Sequence, residues 1–510
     1  MENKFEKIPK ELFEFAQLDA VLHDKKMETK ARGFFADAFL RFKKNKSSVV
    51  AAWIIGLLVL FAILSPIVSS YTIKDKDVIY QNYPPYVEKM AKKGYNFLNG
   101  GKVLTSQNEQ SLDKWHAIGK ETGMDPVLAI LGSEEVESKY RGQIRVTKYY
   151  KLKLNQYFAV GIRTQTFSYE EFADIQRFQD ETGIQVIYPW VEAKDIAGID
   201  NDPAIWYQVK DSKGTPVKDE NGDWIPAYSS NAAIEGAPYT SQRIEGDPGD
   251  WIYSVHKSGA VSARFCYYNY YIYKNGHEPR YVFGTNVMGQ DLFMAIGVGA
   301  RFSLVFAVVV SAINLFIGAI YGAIQGYYGG KIDLVLDRIV DVLSGLPFIV
   351  CVTLFQLHLS SRVGVVGSFL FAYILTGWIG MAALVRKQFY RFKGQEYVLA
   401  ARTLGASDKR LMFKHIFPNS MGTIITSCAL VIPNVISSET NMTYLNIVNL
   451  SEFAGTTIGT LMSQGQGVAT TSPHAMIFPA IFISLLLISF NLFGNGLRDA
   501  FNPSTRGMED

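Results

Sequence analysis

The sequence is poor in cysteine and lacks the short motifs that mark many enzyme active sites. It has three cysteines in 510 residues, and two of them, Cys351 and Cys428, lie inside uncharged apolar stretches. A fold held together by disulfides is therefore excluded. The sequence contains no G-x-x-x-x-G-K-[ST] phosphate loop, no H-E-x-x-H zinc motif, no G-x-S-x-G turn and no C-x-x-C pair. It therefore offers no nucleotide, zinc or nucleophile site of those kinds.

Charged residues are missing from six long stretches of the chain. The overall balance of 50 basic and 47 acidic residues, a net charge of +3, gives no reason to expect a nucleic-acid partner. Each uncharged stretch has 20 residues or more, which is the number a helix needs to cross a hydrocarbon core about 30 Å thick. Six helices that are apolar on every side have no place in a water-soluble fold. We therefore predict an all-α polytopic membrane bundle with spans at 47–73, 302–330, 342–361, 363–385, 416–438 and 465–497.

Basic residues flank the first span and predict its orientation. A group of four, Arg41, Lys43, Lys44 and Lys46, stands directly before it, and the positive-inside rule then puts the N-terminus in the cytoplasm. The 46 preceding residues are polar and amphipathic, which favours a retained helix over a cleaved signal sequence. Six crossings bring the C-terminus back to the same side. The segment 386–414 has eight basic and two acidic residues and lies inside in this arrangement.

A polar segment, 74–281, separates the first two spans and is long enough to fold as a domain. Its patterns are mixed, because helical periodicity alternates with stretches rich in Tyr, Val and Ile. Ser168 followed by Glu171 predicts a capped helix start. We expect an inserted α+β extracytoplasmic domain, with helices over 106–122 and 168–182 and strands over 146–166, 205–210 and 260–273.

Three glutamates in this domain, Glu134, Glu135 and Glu137, are the best candidates for hydrolytic chemistry. One of them offers a carboxylate for glycan hydrolysis, but the second carboxylate that this chemistry needs is missing. A solvated acidic helix face is the favoured interpretation. A competing hypothesis is a receptor or cell-wall enzyme that the helices merely anchor. One helix is enough for an anchor, so this hypothesis does not explain the other five crossings.

The segment 395–418 is basic, rich in small residues and unlike the spans on either side of it. Good helix formers end at Gly405, which can take the left-handed conformation that closes a helix. A second short helix follows, and we expect it to end at Pro418. Ala400 and Ala401 are small enough for the first helix to press into a cleft on another protein. A helix held at the lipid headgroups is the alternative interpretation.

This segment resembles the EAA loop, a cytoplasmic loop of the permease subunits of bacterial binding-protein-dependent ABC importers. The family pattern is E-A-A, three residues, Gly, nine residues and I-x-L-P, and the same spacing occurs here. FGTNVMGQDLF at 283–293 and FNLFGNGLRDAFNPSTR at 490–506 resemble signatures of the oligopeptide, dipeptide and nickel branch. The positions of the pattern are occupied by Leu399, Ala400, Ala401, Gly405, His415, Phe417 and Pro418. Leu399 stands in place of the Glu, His415 in place of the Ile and Phe417 in place of the Leu.

The resemblance implies a type I ABC importer permease with six transmembrane helices in the bacterial cell membrane and both termini in the cytoplasm. Its expected partners are a sister permease that completes a heterodimer, two cytoplasmic ATPase subunits and an extracytoplasmic substrate-binding protein. The ATPase subunits bind ATP and Mg, so we expect no cofactor or metal in this chain. Oligopeptides are the implied substrate, with dipeptides or nickel as alternatives. The implied coupling residues are Glu396, Leu399, Ala400, Ala401, Arg402, Gly405, His415 and Pro418.

The resemblance covers residues 275–506 and does not extend over 74–274, so the outer domain is an addition. We expect it to serve as a dock or lid for the binding protein, through an aromatic cluster of Tyr267, Tyr268, Tyr270, Tyr271 and Tyr273. Packing of these tyrosines in a sheet is the alternative. The predicted divisions are a cytoplasmic tail at 1–46, a transmembrane helix at 47–73, the extracytoplasmic domain at 74–281, the permease core at 282–497 with a coupling loop at 386–418, and a cytoplasmic tail at 498–510.

Polar side chains within or beside the spans are candidates for a translocation pathway, because they are costly when they face lipid. Gln356, Asn434 and Glu439 are the residues we expect to line it. Glycines at every fourth position from Gly318 to Gly326 predict close packing of the second span against another helix. A secondary transporter is disfavoured, because the spans contain neither a cluster of charges nor an evident inverted repeat.

Overall fold

The computed structural model describes residues 34–140, 143–188, 241–242, 252–255 and 260–501. Within these ranges, five helical stretches are long and apolar enough to cross a membrane. They are Lys46–Val68, Leu292–Tyr328, Phe348–Phe392, Asp408–Tyr444 and His474–Phe501. The protein is therefore a helical membrane bundle, and the polar segment 74–281 lies between its first two spans in the chain.

The helices and strands follow one another in this order. The chain begins with α1 (Phe34–Lys44) and α2 (Lys46–Val68). The inserted segment contains β1 (Tyr86–Val87), α3 (Glu88–Ala91), β2 (Gly101–Asn108), α4 (Glu109–Thr122), β3 (Val127–Tyr140), β4 (Gln143–Asn155), α5 (Gln156–Ala159), β5 (Ile162–Phe167), α6 (Tyr169–Thr182), β6 (Ile187–Tyr188), β7 (Ser241–Gln242), β8 (Ile252–Val255), β9 (Val261–Cys266), α7 (Tyr267–Asn275) and β10 (Arg280–Tyr281). The bundle continues with α8 (Leu292–Tyr328), α9 (Gly330–Ser344), α10 (Phe348–Thr376), α11 (Ile379–Phe392), α12 (Glu396–Thr403), α13 (Asp408–Arg410), a π-helical turn (Leu411–Ile416), α14 (Phe417–Tyr444), α15 (Ser451–Ala454), α16 (Ile458–Gly467) and α17 (His474–Phe501).

The stretch Phe348–Phe392 is not one straight helix. At 1.5 Å per residue its 45 residues would extend about 68 Å, roughly twice the thickness of a membrane core. Gly364 interrupts α10 with φ 78° and ψ 165°, a conformation that glycine adopts readily. The side-chain amide of Gln356 donates to the carbonyl oxygen of Val365 at 3.0 Å. Because these residues would lie about 13 Å apart along a continuous helix, the chain folds back at Gly364.

Glycines on α8 allow it to lie directly against α11. A Cβ atom added at Gly322 would stand 2.2 Å from the carbonyl oxygen of Ala382. One added at Gly326 would stand 2.6 Å from the Cβ of Phe389. Small residues of this kind let two helix backbones approach each other in a membrane, where packing holds helices together. The close packing predicted for this stripe is confirmed.

A buried apolar cluster joins α2, α8, α10, α14, α16 and α17. Within it, the rings of Phe306 on α8 and Phe369 on α10 stack with their centroids 5.2 Å apart. On the other side of the bundle, the rings of Phe61 on α2 and Phe482 on α17 lie 5.6 Å apart. Helix α8 thus packs against most of the other long helices, and a displacement of α8 would change its contacts with each of them.

The inserted segment contains two larger sheets and a short ribbon. One sheet has the strand order β2-β4-β3, and α4 packs against it through Leu112, which contacts Leu152 and Leu154. The other has the order β5-β9-β8-β7, with β6 also paired to β9. The described strand pairs are antiparallel. Strand β1 pairs with β10, so the chain leaves and re-enters the bundle through adjacent strands.

Hydrogen bonds from amide groups fasten this junction to the bundle. The side-chain amide of Asn286 donates to the side-chain oxygen of Gln290 at 2.9 Å, and the Gln290 amide donates to the carbonyl oxygen of Ile73 at 2.6 Å. The backbone N–H of Asn82 donates to the Asn286 carbonyl at 3.0 Å. Both amide side chains are buried. The segment that follows α2 is therefore tied directly to the loop that precedes α8.

The predictions for the inserted segment are partly confirmed. The hydroxyl of Ser168 accepts a hydrogen bond from the backbone N–H of Glu171 at 3.1 Å and caps α6, as predicted. The helix predicted over 106–122 begins only where β2 ends. The strand predicted over 146–166 is divided into β4 and β5 by the short helix α5. The strand predicted over 205–210 lies outside the described residues.

The strand predicted over 260–273 is wrong beyond Cys266. Strand β9 ends there and the tyrosines that follow lie on α7, where Tyr268, Tyr270 and Tyr271 are buried. Tyrosine favours strands, but here burial among the other aromatic rings of the inserted segment outweighs that preference. The cluster therefore belongs to the apolar core of the inserted segment, and its buried rings cannot serve as a docking surface.

The acidic helix face predicted for the three glutamates is also wrong. They lie on strand β3, which pairs with β4, and their side chains are exposed. Glu134 stands opposite Tyr149, and Glu135 stands opposite Lys148. Opposite charges facing each other across a strand pair stabilise a sheet modestly. These glutamates are therefore solvated, as expected, but on a hairpin.

Candidate functional site

Residues 396–416 form a short helical hairpin beside the C-terminal end of α8. Helix α12 begins with the exposed Glu396, the chain reverses at Gly405, and α13 begins at Asp408. The backbone of Gly405 has φ 82°, the left-handed conformation that the sequence predicts there. A β-branched side chain is strained at that angle, so glycine sets the shape of the hairpin.

One face of the hairpin is exposed and carries apolar and small side chains. Leu404, at its tip, is 89% exposed, and Leu399 is 44% exposed. Ala400 and Arg402 are exposed beside them. A large apolar side chain exposed to this degree, with small neighbours and a basic rim, has the character of a contact surface.

The opposite face of α12 packs into the bundle. Val398 is fully buried, and the half-buried Ala401 packs with it in a cluster that includes Leu411 and Phe389. The structure thus separates the two alanines of the motif, because Ala400 belongs to the exposed face and Ala401 to the packed one. The hairpin is held in a fixed position by this buried face.

The hairpin continues without a break into α14. The π-helical turn Leu411–Ile416 follows α13, and Pro418 occupies the first turn of α14. Because residues in a first turn need no N–H donor, Pro418 begins the long helix, and the prediction that it ends the short one is wrong. His415 is half-buried within the π turn. Single π turns inside helices occur frequently at functional sites.

Polar contacts tie the hairpin to the last turn of α8. The hydroxyl of Tyr327 donates to Asp408 Oδ1 at 2.5 Å, and Arg402 Nη2 lies 3.5 Å from the same hydroxyl. The amino group of Lys393 donates to the carbonyl oxygen of Gly326 at 2.9 Å. Lys393 thereby satisfies a carbonyl group that the end of a helix leaves free.

An ionic network joins α9 to α11 near the hairpin. Arg386 bonds Asp333 at 2.7 Å and Asp337 at 2.8 Å, and the hydroxyl of Tyr390 donates to Asp333 at 2.6 Å. Burial acts to raise the pKa of Asp333, but the hydrogen bonds from Arg386 and Tyr390 outweigh it and lower the pKa below its usual value. Sequence reasoning missed this network, and its one signal was the spacing of the two aspartates one helical turn apart.

The structure places the three pathway candidates in different surroundings. Glu439 is fully buried, and the hydroxyl of Ser303 on α8 donates to its carboxylate at 2.7 Å. Gln356 is half-buried and bonds Val365, whereas Asn434 is exposed on α14. Among the described residues, no hydrogen bond joins any two of these candidates.

Comparison with protein families finds two matches. Residues 315–507, which include the hairpin, match the family described as "Binding-protein-dependent transport system inner membrane component". Residues 33–85 match "N-terminal TM domain of oligopeptide transport permease C". Most of the inserted segment lies between the two matched ranges.

Curated relatives agree with these matches. The oligopeptide transport system permease protein OppC of Bacillus subtilis (strain 168) is 40% identical over 224 residues, which is 44% of this chain and 72% of that protein. The dipeptide transport system permease protein DppC of the same organism is 38% identical over 225 residues, which is 44% of this chain and 69% of that protein. A solved chain of the MetNI methionine ABC transporter in an inward-facing conformation matches at 14% identity, covering 40% of this chain and 96% of that chain. Its TM-score to this chain is 0.32. The identity to OppC and DppC and the two family matches show that this chain belongs to the inner membrane permease components of binding-protein-dependent ABC transport systems, in the oligopeptide and dipeptide permease family.

Proposed function

We propose that this permease subunit forms half of the translocation pathway of an ATP-driven importer of oligopeptides. The relative with 40% identity is named an oligopeptide permease, and the one with 38% identity is named a dipeptide permease. The large inserted segment favours longer peptides, because it adds surface that could contact a bulky delivery protein. Dipeptides are the second candidate, since the two identities differ so little.

The proposed assembly contains this chain, a sister permease, two cytoplasmic ATPase subunits and an extracytoplasmic substrate-binding protein. The chain crosses the bacterial cell membrane six times, with both termini in the cytoplasm and residues 74–281 outside. The reversal at Gly364 supports six crossings, because it divides the stretch Phe348–Phe392 near the boundary of the two predicted spans. The basic residues in 386–414 support a cytoplasmic hairpin.

The coupling role of the hairpin rests on its exposed face. Leu404, Leu399 and Ala400 present an apolar surface that lies outside the bundle, while the buried face holds the hairpin against α8 and α11. We assign ATP and Mg to the ATPase subunits, because this chain belongs to a family of non-catalytic transmembrane subunits. Movement of a docked ATPase subunit would displace the hairpin and switch the bundle between inward-open and outward-open states.

The pathway is proposed to run along α10 and α14, where Gln356, Asn434 and Glu439 lie. The exposure of Asn434 in the isolated chain supports a position that faces the sister permease. Glu439 is buried behind Ser303, so its contribution requires the helices to separate. For the inserted segment we propose a dock for the binding protein on the β3–β4 hairpin, where Ile130, Ile144 and Val146 are exposed.

Replacement of Leu404 by aspartate tests the coupling role. A charge at this exposed position would leave the bundle intact but oppose docking of an apolar cleft, so we expect normal membrane insertion, loss of bound ATPase subunits and loss of peptide uptake. Co-purification and uptake in proteoliposomes measure these effects. Tyr169→Asp places the same charge at the exposed start of α6, outside the β3–β4 hairpin, and serves as the control. Normal uptake by a stably inserted Leu404→Asp variant would refute the assignment.

A further inference from the structure

The contacts of Tyr327 connect both helices of the hairpin to α8. Tyr327 is the penultimate residue of α8 and is 7% exposed. Its hydroxyl donates to Asp408, the first residue of α13. Arg402, from the last turn of α12, places its guanidinium 5.9 Å from the centre of the Tyr327 ring. The aromatic ring and its hydroxyl therefore lie between a cation from one helix of the hairpin and an anion from the other.

The Tyr327 contacts join the hairpin directly to α8, and no covalent bond does so. The hairpin continues through the π turn into α14, so any displacement of the hairpin reaches α14 through covalent bonds. At its other end the hairpin continues into α11, which packs against α8, and Lys393 bonds the carbonyl oxygen of Gly326, but no covalent bond runs directly from the hairpin to α8. Hydrogen bonds to charged groups are stronger and more directional than apolar contacts, and they fix one partner relative to the other. The Tyr327 contacts therefore provide a directional link through which α8 can follow the hairpin.

Helix α8 carries a displacement to the opposite side of the bundle. Ser303, which bonds the buried Glu439 of α14, lies 24 residues before Tyr327, or about 36 Å along the helix. At Gly322 the backbone of α8 lies directly against α11, so a displacement of α8 also acts on α11. If α8 and α14 are displaced together, the Ser303–Glu439 contact is preserved. If α14 moves alone, the contact breaks.

We infer that Tyr327 is a positioning residue that makes α8 move together with the hairpin and α14 when the ATPase subunits act. This inference rests on the proposed function and adds to it a second route, outside the covalent chain, by which the hairpin acts on the membrane helices. The alternative is that Tyr327 only packs the end of α8. Packing alone predicts that removing the hydroxyl has no effect on the amount of peptide moved per ATP.

The test uses the complete transporter, with this chain, its sister permease, both ATPase subunits and the binding protein, reconstituted in proteoliposomes. Peptide uptake and ATP hydrolysis are measured on the same samples. Tyr327→Phe keeps the ring and removes the hydroxyl, and we expect about fivefold less uptake per ATP, within the range by which single residues change coupling. Tyr328→Phe removes a hydroxyl one residue away and serves as the matched control, with an unchanged ratio expected.

A second set of variants separates the contact from general damage. Asp408→Ala should lower the ratio as Tyr327→Phe does, and the double variant should be no worse than either single one, because both remove the same bond. Asp408→Asn keeps an oxygen that can accept the hydrogen bond and should restore much of the ratio. An unchanged ratio in Tyr327→Phe, additive losses in the double variant, or a loss explained by fewer bound ATPase subunits would each overturn the inference. If the wild-type chain binds no ATPase subunits, the proposed function itself fails.

Discussion

At the scale of single residues, the hydrogen bonds of the fully buried Glu439 indicate that it links two helices. A carboxyl group inside a membrane bundle is costly unless hydrogen bonds compensate for the lost water. Ser303 donates to it from α8, and the hydroxyl of Thr443 lies 3.5 Å away on its own helix. This arrangement links α8 to α14, so the sequence correctly marks Glu439 as unusual but cannot tell a pathway residue from a helix–helix contact.

Glu439→Ala and Glu439→Gln should separate these two roles. Alanine leaves a cavity and an unpaired Ser303 hydroxyl, so we expect the free energy of unfolding to fall by about 2–4 kcal/mol. Glutamine keeps the shape and one acceptor oxygen, and the loss should stay below about 1.5 kcal/mol. Thermal unfolding of the purified chain in detergent measures the difference. Glu452→Ala, at an exposed position on α15, is the control. An equal loss for both Glu439 variants would argue against the helix-linking role.

At the scale of helices and strands, the membrane part could be predicted well and the inserted segment less well. Apolar length marks the five long helical stretches, because lipid forces each helix to satisfy its own backbone, while the count of six crossings stays a prediction. The predicted spans 342–361 and 465–497 each begin too early, in α9 and α16. The reversal at Gly405 also follows from local chemistry. The helical tyrosines of α7, the strand that holds Glu134, and the contacts of Tyr327 depend on residues far away in the chain, and a single sequence does not show which distant residues meet.

The contact between α8 and α11 yields a prediction for glycine. Gly322→Ala places a methyl group 2.2 Å from the carbonyl oxygen of Ala382, so the two helices must separate. We expect the variant to be destabilised by about 1–3 kcal/mol, as for other overpacked interiors. Gly380→Ala on α11 meets nothing within 4 Å and should match or exceed the stability of the wild type. Thermal unfolding in one detergent compares them. Equal melting temperatures for the two variants would show that the helices are not in close contact.

At the scale of the whole molecule, the two ends of the inserted segment are paired with each other in a short ribbon. Strands β1 and β10 pair through Val87 and Arg280, so the chain between them starts and ends at the same point. Such an attachment permits a long insertion without disturbing the bundle, because loop closure costs little once the ends are held together. The same geometry explains why a sequence that matches a permease family on both sides can accommodate this segment.

Removal of residues 88–279 tests the role of the inserted segment. Joining Val87 to Arg280 through an Asn-Gly turn completes a two-residue hairpin and keeps the pairing of β1 with β10. It also removes Tyr157, so Tyr80 and Tyr86, whose rings pack against it, are replaced by serine in the shortened chain. We expect the shortened chain to insert and to bind ATPase subunits, but to lose affinity for the binding protein and with it peptide uptake. Binding to proteoliposomes and uptake measure the effect. Uptake and affinity equal to those of the full chain would dismiss a docking role.

The amide pair at the junction, Asn286 and Gln290, has a consequence for the conditions in which the protein can work. Neither side chain ionises, so the bond between them and the bond to Ile73 do not depend on the acidity of the medium. Added electrolyte, which weakens contacts between exposed charges, has little effect on buried neutral amides. These two hydrogen bonds should therefore persist over a wide range of pH and ionic strength.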